Sequence, residues 1–317
     1  MVNIDIVTLS QTLLQYGFIV GLSPLFAGIF SKVKSRVESK QGPSIFQPYY
    51  DIFKLLKKET LRPAGSGLIF LYGPYVIFGV YSLIALIIPA VIPEPIYFTA
   101  STDFLGGAIL FALGAFIKIS AAMSSHSNYS AMGVSRMLSY NFLSEGTLIT
   151  VLFAVSLVTA TNNPYTTHAF FADNPLLNIS ITHIFSTLAF FMLFLYESGK
   201  IPLESEGLVE MGMIDAATNF EYSGKLLGIN KWTGYMKQFL LGSIFLNVFF
   251  VPWGMTASSP WFILDVPVMF LKWFLLIGIV IVIETTLAKL RVFRVLDYLA
   301  TAFTFSILFL IFSEVIL

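Results

Sequence analysis

The 317-residue sequence contains no cysteine. That absence excludes cysteine-ligated iron–sulfur clusters, a thiolate nickel site and disulfides on this chain. Histidine is nearly as scarce. His126, His168 and His183 stand far apart and lack the spacing of a metal site. Any redox metal that serves this protein therefore belongs to another chain. Charge is thin as well: charged residues make up 11% of the sequence, against about 25% in soluble domains. The net charge is zero, so nothing suggests nucleic acid as a partner. The start, Met1-Val-Asn-Ile-Asp, has no basic region and runs straight into an apolar segment, which predicts no cleavable signal peptide.

What is abundant is apolar. Hydrophobic residues reach 56%, phenylalanine alone numbers 32, and the mean hydropathy is +0.82. A membrane span needs about 20 mostly apolar residues. Eight segments qualify as candidates, at about 6–30, 67–93, 104–123, 138–160, 176–196, 235–257, 261–286 and 297–317. The expected fold is all-α: one polytopic membrane domain covering 1–317, with no internal repeat and no soluble domain.

The basic residues orient it. Lys32, Lys34, Arg36, Lys40, Lys54, Lys57, Lys58 and Arg62 fall in 31–66. Arg136 falls in 124–137, Lys200, Lys225 and Lys231 in 197–234, and Lys289, Arg291 and Arg294 in 287–296. The alternate links, 94–103, 161–175 and 258–260, hold neither lysine nor arginine. By the positive-inside rule both termini face outward and the link 197–234 is cytoplasmic. Residues 43–59 form an amphipathic interfacial helix rather than a span. Ile45, Tyr49, Ile52, Phe53 and Leu56 make its apolar face, while Gln47, Asp51, Lys54, Lys57 and Lys58 lie largely opposite, toward water or lipid headgroups.

Against this background one stretch stands out. Residues 197–224 hold Glu197, Glu204, Glu206, Glu210, Asp215 and Glu221, a third of the 18 acidic residues. Pro202, Gly199, Gly207 and Gly212 break any simple helix there, and apolar residues interleave the acids. Clustered buried carboxylates relieve their repulsion by holding protons, which suits proton carriage. A solvated acidic loop that docks a partner is the other reading. Charges within spans cost on the order of 3 kcal/mol each at mid-bilayer. Glu145 and Lys272 lie deep enough to suggest a buried polar path. Lys118 and Glu284 lie near cytoplasmic span ends, while Asp265 and Glu314, near outer ends, read as snorkelling side chains.

Three runs resemble signatures of a known family. The first is Lys34-Ser-Arg36 through Lys40-Gln-Gly42-Pro43, Gln47-Pro48, Asp51, Lys54 and Glu59. The second is Asn128-Tyr129, Gly133 and Arg136, with Glu145 nine residues on. The third is Glu197-Ser-Gly-Lys200-Ile-Pro202-Leu-Glu204, then Glu210, Asp215 and Glu221-Tyr222-Ser223-Gly224. They resemble the quinone-pocket membrane subunit of respiratory complex I and its homologues in group 4 membrane-bound [NiFe] hydrogenases, including formate hydrogenlyase. The resemblance spans the whole chain.

It implies a subunit without bond chemistry of its own, anchoring a peripheral redox arm and coupling it to ion translocation. Glu145, Glu197, Glu204, Glu210, Asp215 and Glu221 would form the proton path, with Arg136 meeting the acidic loop. Glu206 joins by proximity and Lys272 by depth. Arg36, Lys40, Gln47, Pro48, Asp51, Lys54 and Glu59 would shape the docking face. Implied partners are hydrogenase-like large and cluster-bearing subunits and antiporter-like membrane subunits. Iron–sulfur clusters and a Ni–Fe centre would lie on the partners, in the cytoplasmic membrane of a prokaryote.

The short insert between Pro43 and Gln47, and Gly199 with Pro202, lean toward the hydrogenase branch, whereas Asn128-Tyr129 is more like complex I. A quinone chamber thus stays open as the alternative. A free-standing secondary transporter is a third reading; the sequence lacks the paired halves that such folds often show.

Overall fold

A computed structural model describes residues 6–91, 102–201, 217–255, 262–287, 290 and 294–316. Ten α-helices run through them: α1 (Ile6–Val37), α2 (Gln47–Leu56), α3 (Leu68–Ile87), α4 (Phe104–Met123), α5 (Asn128–Thr159), α6 (Pro164–Asp173), α7 (Ile181–Glu197), α8 (Gly224–Ile244), α9 (Phe262–Thr286) and α10 (Val295–Ile316). The protein is an all-α polytopic membrane protein. Among the described residues, the helices α1, α3, α4, α5, α9 and α10 are long and apolar enough to cross a membrane. The other two expected spans correspond to α7, apolar but only 17 residues long, and α8, whose 21 residues include Lys225, Lys231 and Lys237.

Local chemistry sets several boundaries. The Asp103 carboxylate caps α4 by accepting from the Leu105 amide at 3.0 Å, and Asn163 caps α6 through the Tyr165 amide at 2.9 Å, with Pro164 opening the helix. Ala160 ends α5 with a left-handed φ of 50°. Helix α5 begins at Asn128, ten residues ahead of the expected span, so Arg136 is helical rather than in a loop. Helix α8 likewise begins at Gly224, shortening the link expected over 197–234.

Lipid tails offer no hydrophobic drive for helices to associate, so close packing must hold them together. The core supplies it with rings. Trp273 of α9 stacks on Phe239 of α8 at 5.0 Å and 4°, and Phe26 of α1 lies 4.9 Å from the same indole. Gly242 makes room, since a Cβ there would strike the Trp273 ring. Phe190 of α7 stacks on Phe249 at 4.7 Å. Outside the core, Phe116, Phe142 and Leu271 stay exposed, as suits lipid or neighbouring membrane subunits.

Helix α2 is shorter than the expected 43–59, and its apolar face divides. Pro48 and Ile52 are buried and the helix packs on α8 and α1. Ile45, Phe46, Tyr50 and Phe53 are exposed. Ile52 and Phe53 therefore serve opposite sides. The reason is that a ten-residue helix resting on α8 presents only one seam to it. The Tyr49 hydroxyl donates to the Gly21 carbonyl of α1, tying α2 down further.

Candidate functional site

Three helices bring charge together at the end of the bundle that carries the acidic stretch. Glu197 is the last residue of α7. Its Oε2 lies 2.5 Å from the Lys237 Nζ of α8, and its Oε1 accepts from the Ser144 hydroxyl of α5. Both charged side chains are more than four-fifths buried, at 12% and 16% exposure. Glu145, partly buried on α5 beside Ser144, lies within electrostatic reach of Glu197 and Lys237. A carboxylate at a helix C-terminus faces the negative end of the helix dipole, so the lysine at this point offsets two unfavourable terms, burial and dipole. Two carboxylates share one ammonium. The trio carries one negative charge when unprotonated and none with one proton bound, the stoichiometry of a one-proton carrier.

Arg136 sits on the same helix as Glu145, one turn before Tyr140 and close enough to act on it electrostatically. Tyr140 meets Tyr196 edge-on at 6.4 Å, and the Tyr196 hydroxyl donates to Asn141 at 3.3 Å. Aromatic and amide groups thus line the way from Arg136 to the end of α7. Glu204, Glu206, Glu210 and Asp215 lie outside the described residues. The downstream end of their stretch is described: residues 217–219 rest on α5, where the Ser130 hydroxyl donates to the Ala217 carbonyl at 3.4 Å.

Glu221 is partly buried, and the residues after it explain the motif. Tyr222 stacks on Phe70 of α3 at 4.2 Å and 3°, and donates to the Phe70 carbonyl at 3.2 Å. Ser223 Oγ accepts from the Leu61 amide at 2.8 Å and donates to the Leu61 carbonyl at 3.2 Å. Gly224 has a φ of +50°, and a Cβ there would collide with the Glu59 carbonyl. The run 221–224 therefore stitches the end of the acidic stretch to segment 59–61.

That segment continues the expected docking face. Arg36, Lys40, Gln47, Lys54 and Glu59 are exposed, Asp51 is partly buried, and Pro48 is buried beside Gly28 of α1. Gln47 donates to Asp51 at 2.8 Å, a pair one turn apart that steadies the start of α2. Behind this face, Lys34 of α1 lies 2.6 Å from Glu284 of α9, whose side chain is only 4% exposed. Lys200 places its ammonium over the Phe30 ring at 3.9 Å and lines a cavity of about 10 Å³, room for a water, with Phe194, Gln238 and Trp273.

Lys272 belongs elsewhere. Its neighbours are Asn247 and Asp265, in the opposite half of the bundle. Asp265 is not a snorkelling side chain: it is 1% exposed, inside the protein. Lys237 was within reach of the sequence. It interrupts the apolar segment 235–257, the same signal that marks Lys272. Ser144 carried no such signal, because serines are common in membrane helices.

The NADH dehydrogenase family model matches residues 10–314. Hydrogenase-4 component C of Escherichia coli (strain K12) is 31% identical over 288 residues, 88% of this chain and 87% of that protein. Formate hydrogenlyase subunit 4 of the same organism is 29% identical, covering 88% and 90%. An NADH-quinone oxidoreductase subunit of Rhodospirillum centenum is 27% identical over 237 residues, 70% of this chain and 66% of that one. A chain in the structure of the membrane-bound sulfane sulfur reductase, an archaeal respiratory membrane complex, shares the fold with a TM-score of 0.81 at 20% identity, covering 97% of this chain and all of that one.

Proposed function

Because this chain belongs to the NADH dehydrogenase family, we propose that it is the membrane anchor and proton-path subunit of a multisubunit redox-driven ion pump, with a [NiFe] hydrogenase module as its peripheral arm. The likeness to hydrogenase-4 component C and formate hydrogenlyase subunit 4 extends over nearly nine-tenths of the chain, which supports the hydrogenase branch. The clusters and the Ni–Fe centre sit on partner subunits, in line with a chain free of cysteine. The complex lies in a prokaryotic cytoplasmic membrane with both termini of this subunit outward.

The observation that carries the reading is the Glu145–Glu197–Lys237 trio, a largely buried group in which two carboxylates share one ammonium at the end of the bundle that carries the acidic stretch. A redox event in the arm bears on segments 31–62 and 197–224, which Ser223 and Gly224 tie together. Shifting that joint alters the field at Glu197 and moves a proton through Glu145 toward neighbouring membrane subunits. Glu204, Glu206, Glu210, Asp215 and Glu221 feed the trio, and Arg136 steadies the acidic stretch.

The test uses inverted membrane vesicles holding the assembled complex. Replacing Glu145 or Glu210 with Gln should lower protons translocated per turnover about tenfold or more. An undiminished ratio in both variants would remove these residues from the path. A complex I-like quinone chamber is the second reading, favoured by the match to the NADH-quinone oxidoreductase of Rhodospirillum centenum. Labelling of 31–62 by a photoreactive quinone would select it.

A further inference from the structure

The half of the bundle away from the acidic stretch holds a second set of ionisable groups that the trio does not use. Two broken backbones meet there. Helix α3 ends at Ile87, leaving the carbonyls of Ile88, Pro89 and Ala90 without helical partners. Helix α8 passes into a π-helical turn over Phe245–Phe250 and stops, freeing the carbonyls of Phe249 and Pro252. Irregular backbone at membrane depth persists only where protein or water satisfies it.

Neutral side chains meet most of that need. Gln15 donates to the Ile88 carbonyl at 2.9 Å and to the Tyr165 hydroxyl at 3.3 Å. Asn247, in the π turn, donates to Pro89 at 2.9 Å and Ala90 at 3.2 Å. His183 of α7 donates to the Phe249 carbonyl at 2.9 Å. Amides and an imidazole thus cap the Ile88, Pro89, Ala90 and Phe249 carbonyls without any charged group.

Yet the same place also contains Lys272, Asp265 and His168, each no more than 4% exposed. Lys272 donates to the Asn247 side-chain oxygen Oδ1 at 3.2 Å and feels the Asp265 carboxylate two turns earlier on α9. His168 lies within electrostatic reach of Lys272. Burying an ammonium and a carboxylate carries a desolvation cost that capping alone does not demand.

The tautomer of His168 is the second observation. Its bond to the Pro252 carbonyl requires an N–H on one nitrogen, and its Nε2 has no hydrogen-bond partner among the described residues. The donor is therefore Nδ1, and Nε2 presents a bare lone pair inside the protein. Thr167 Oγ1 on the same helix and Ser243 Oγ, one turn before Asn247, are buried and likewise without partners among the described residues. Buried polar atoms in such a set are ordinarily met by water.

We propose that Lys272, Asp265 and His168, bridged by internal water, form a proton-loading site in the half of the subunit opposite the Glu145–Glu197–Lys237 trio. With Lys272 as ammonium and Asp265 as carboxylate the pair is neutral. One proton arriving through water converts Asp265 to the acid and leaves a single positive charge on Lys272. The proton departs through water to the bare Nε2 of His168, restoring the pair, and His168 releases it outward. The charges facing the site are those of α6 (His168), α7 (His183) and α9 (Asp265, Lys272), with the Tyr165 phenol beside them. Along α8 the ten residues from Lys237 to Asn247 separate the two sites by roughly 15 Å, too far for one hop and within reach of a short water chain.

This inference rests on proton movement through the subunit, and the experiment separates the two. In inverted vesicles with the full complex, protons translocated per turnover are compared for E145Q, K272Q, D265N and the K272Q/D265N double variant. The double variant removes the ion pair without stranding a buried charge. The ratio should fall about tenfold in all four. A fall in E145Q with undiminished ratios in K272Q and D265N overturns this site and leaves the trio standing. Undiminished ratios in E145Q with a fall in the other three overturn the trio's role instead. Collapse of uncoupled redox turnover in assembled double-variant complex, or failure of the double variant to assemble, assigns the cluster a structural role and overturns the proposal.

Discussion

Lys34 and Glu284 illustrate how much a single contact can hold at the residue scale. The pair joins α1 and α9, helices distant in sequence, at 2.6 Å with Glu284 almost wholly buried. Removing one partner of a buried ion pair costs about 3–5 kcal/mol, whereas removing both is often close to neutral. Lys34→Ala should therefore lower the unfolding midpoint of the purified complex more than Lys34→Met combined with Glu284→Leu. Equal losses would show that Glu284 is reached by water. Gly224→Ala should also destabilise, by more than about 1 kcal/mol, since both the positive φ and the Glu59 carbonyl oppose a Cβ. Denaturant midpoints compared with a control such as Gly234→Ala, where nothing lies near an added Cβ, would check it.

At the scale of elements, α2 shows where pattern reading reaches its limit. An amphipathic helix near 43–59 was legible from spacing, because apolar and charged residues alternate with a helical period. Which apolar residues face the protein was not, since Ile52 and Phe53 are neighbours in the same stripe and only the seat on α8 separates them. Ile52→Ala should cost about 2–5 kcal/mol as a buried truncation, and Phe53→Ala within about 0.5 kcal/mol as an exposed one. Thermal dissociation of α2-proximal crosslinks would rank them; the reverse order would put the seam on the other face. Helix α5 gave a similar lesson. Its polar first turns, Asn128 to Ser139, look like a loop to any hydropathy window, yet the residues are good enough helix neighbours to extend the span. Asp265 was misplaced for a related reason: distance from a span end says how deep a charge lies, not whether it points to lipid or protein.

For the whole molecule, the charge asymmetry between links predicts a topology that the absence of cysteine makes easy to test. Each introduced thiol would be unique in the chain. Lys57→Cys and Asn174→Cys, both exposed positions, should react with a membrane-impermeant maleimide from opposite sides, Lys57 from the cytoplasm. Labelling of both from one side would overturn the orientation. The polytopic fold was legible because a bilayer imposes length and hydropathy on every span. The site was legible in part: Glu145 and Glu197 announced themselves as rare charges, and Glu197 opened the third motif. Their shared partner was not visible, because the contact between Lys237 and Glu197 crosses from one helix to another and no spacing rule links residues 40 apart.

Helix α8 has a mechanical consequence. It is a rod of 21 residues, about 30 Å long, loaded at one end by α2 and ending at the other in a turn wound more loosely than the rest. A rod with a compliant tip converts a push on its base into rotation at its end. Lys237 rides partway along and Asn247 at the tip, so the helix on which α2 rests carries one partner of the Glu197 contact and one of the Lys272 contact on the same shaft.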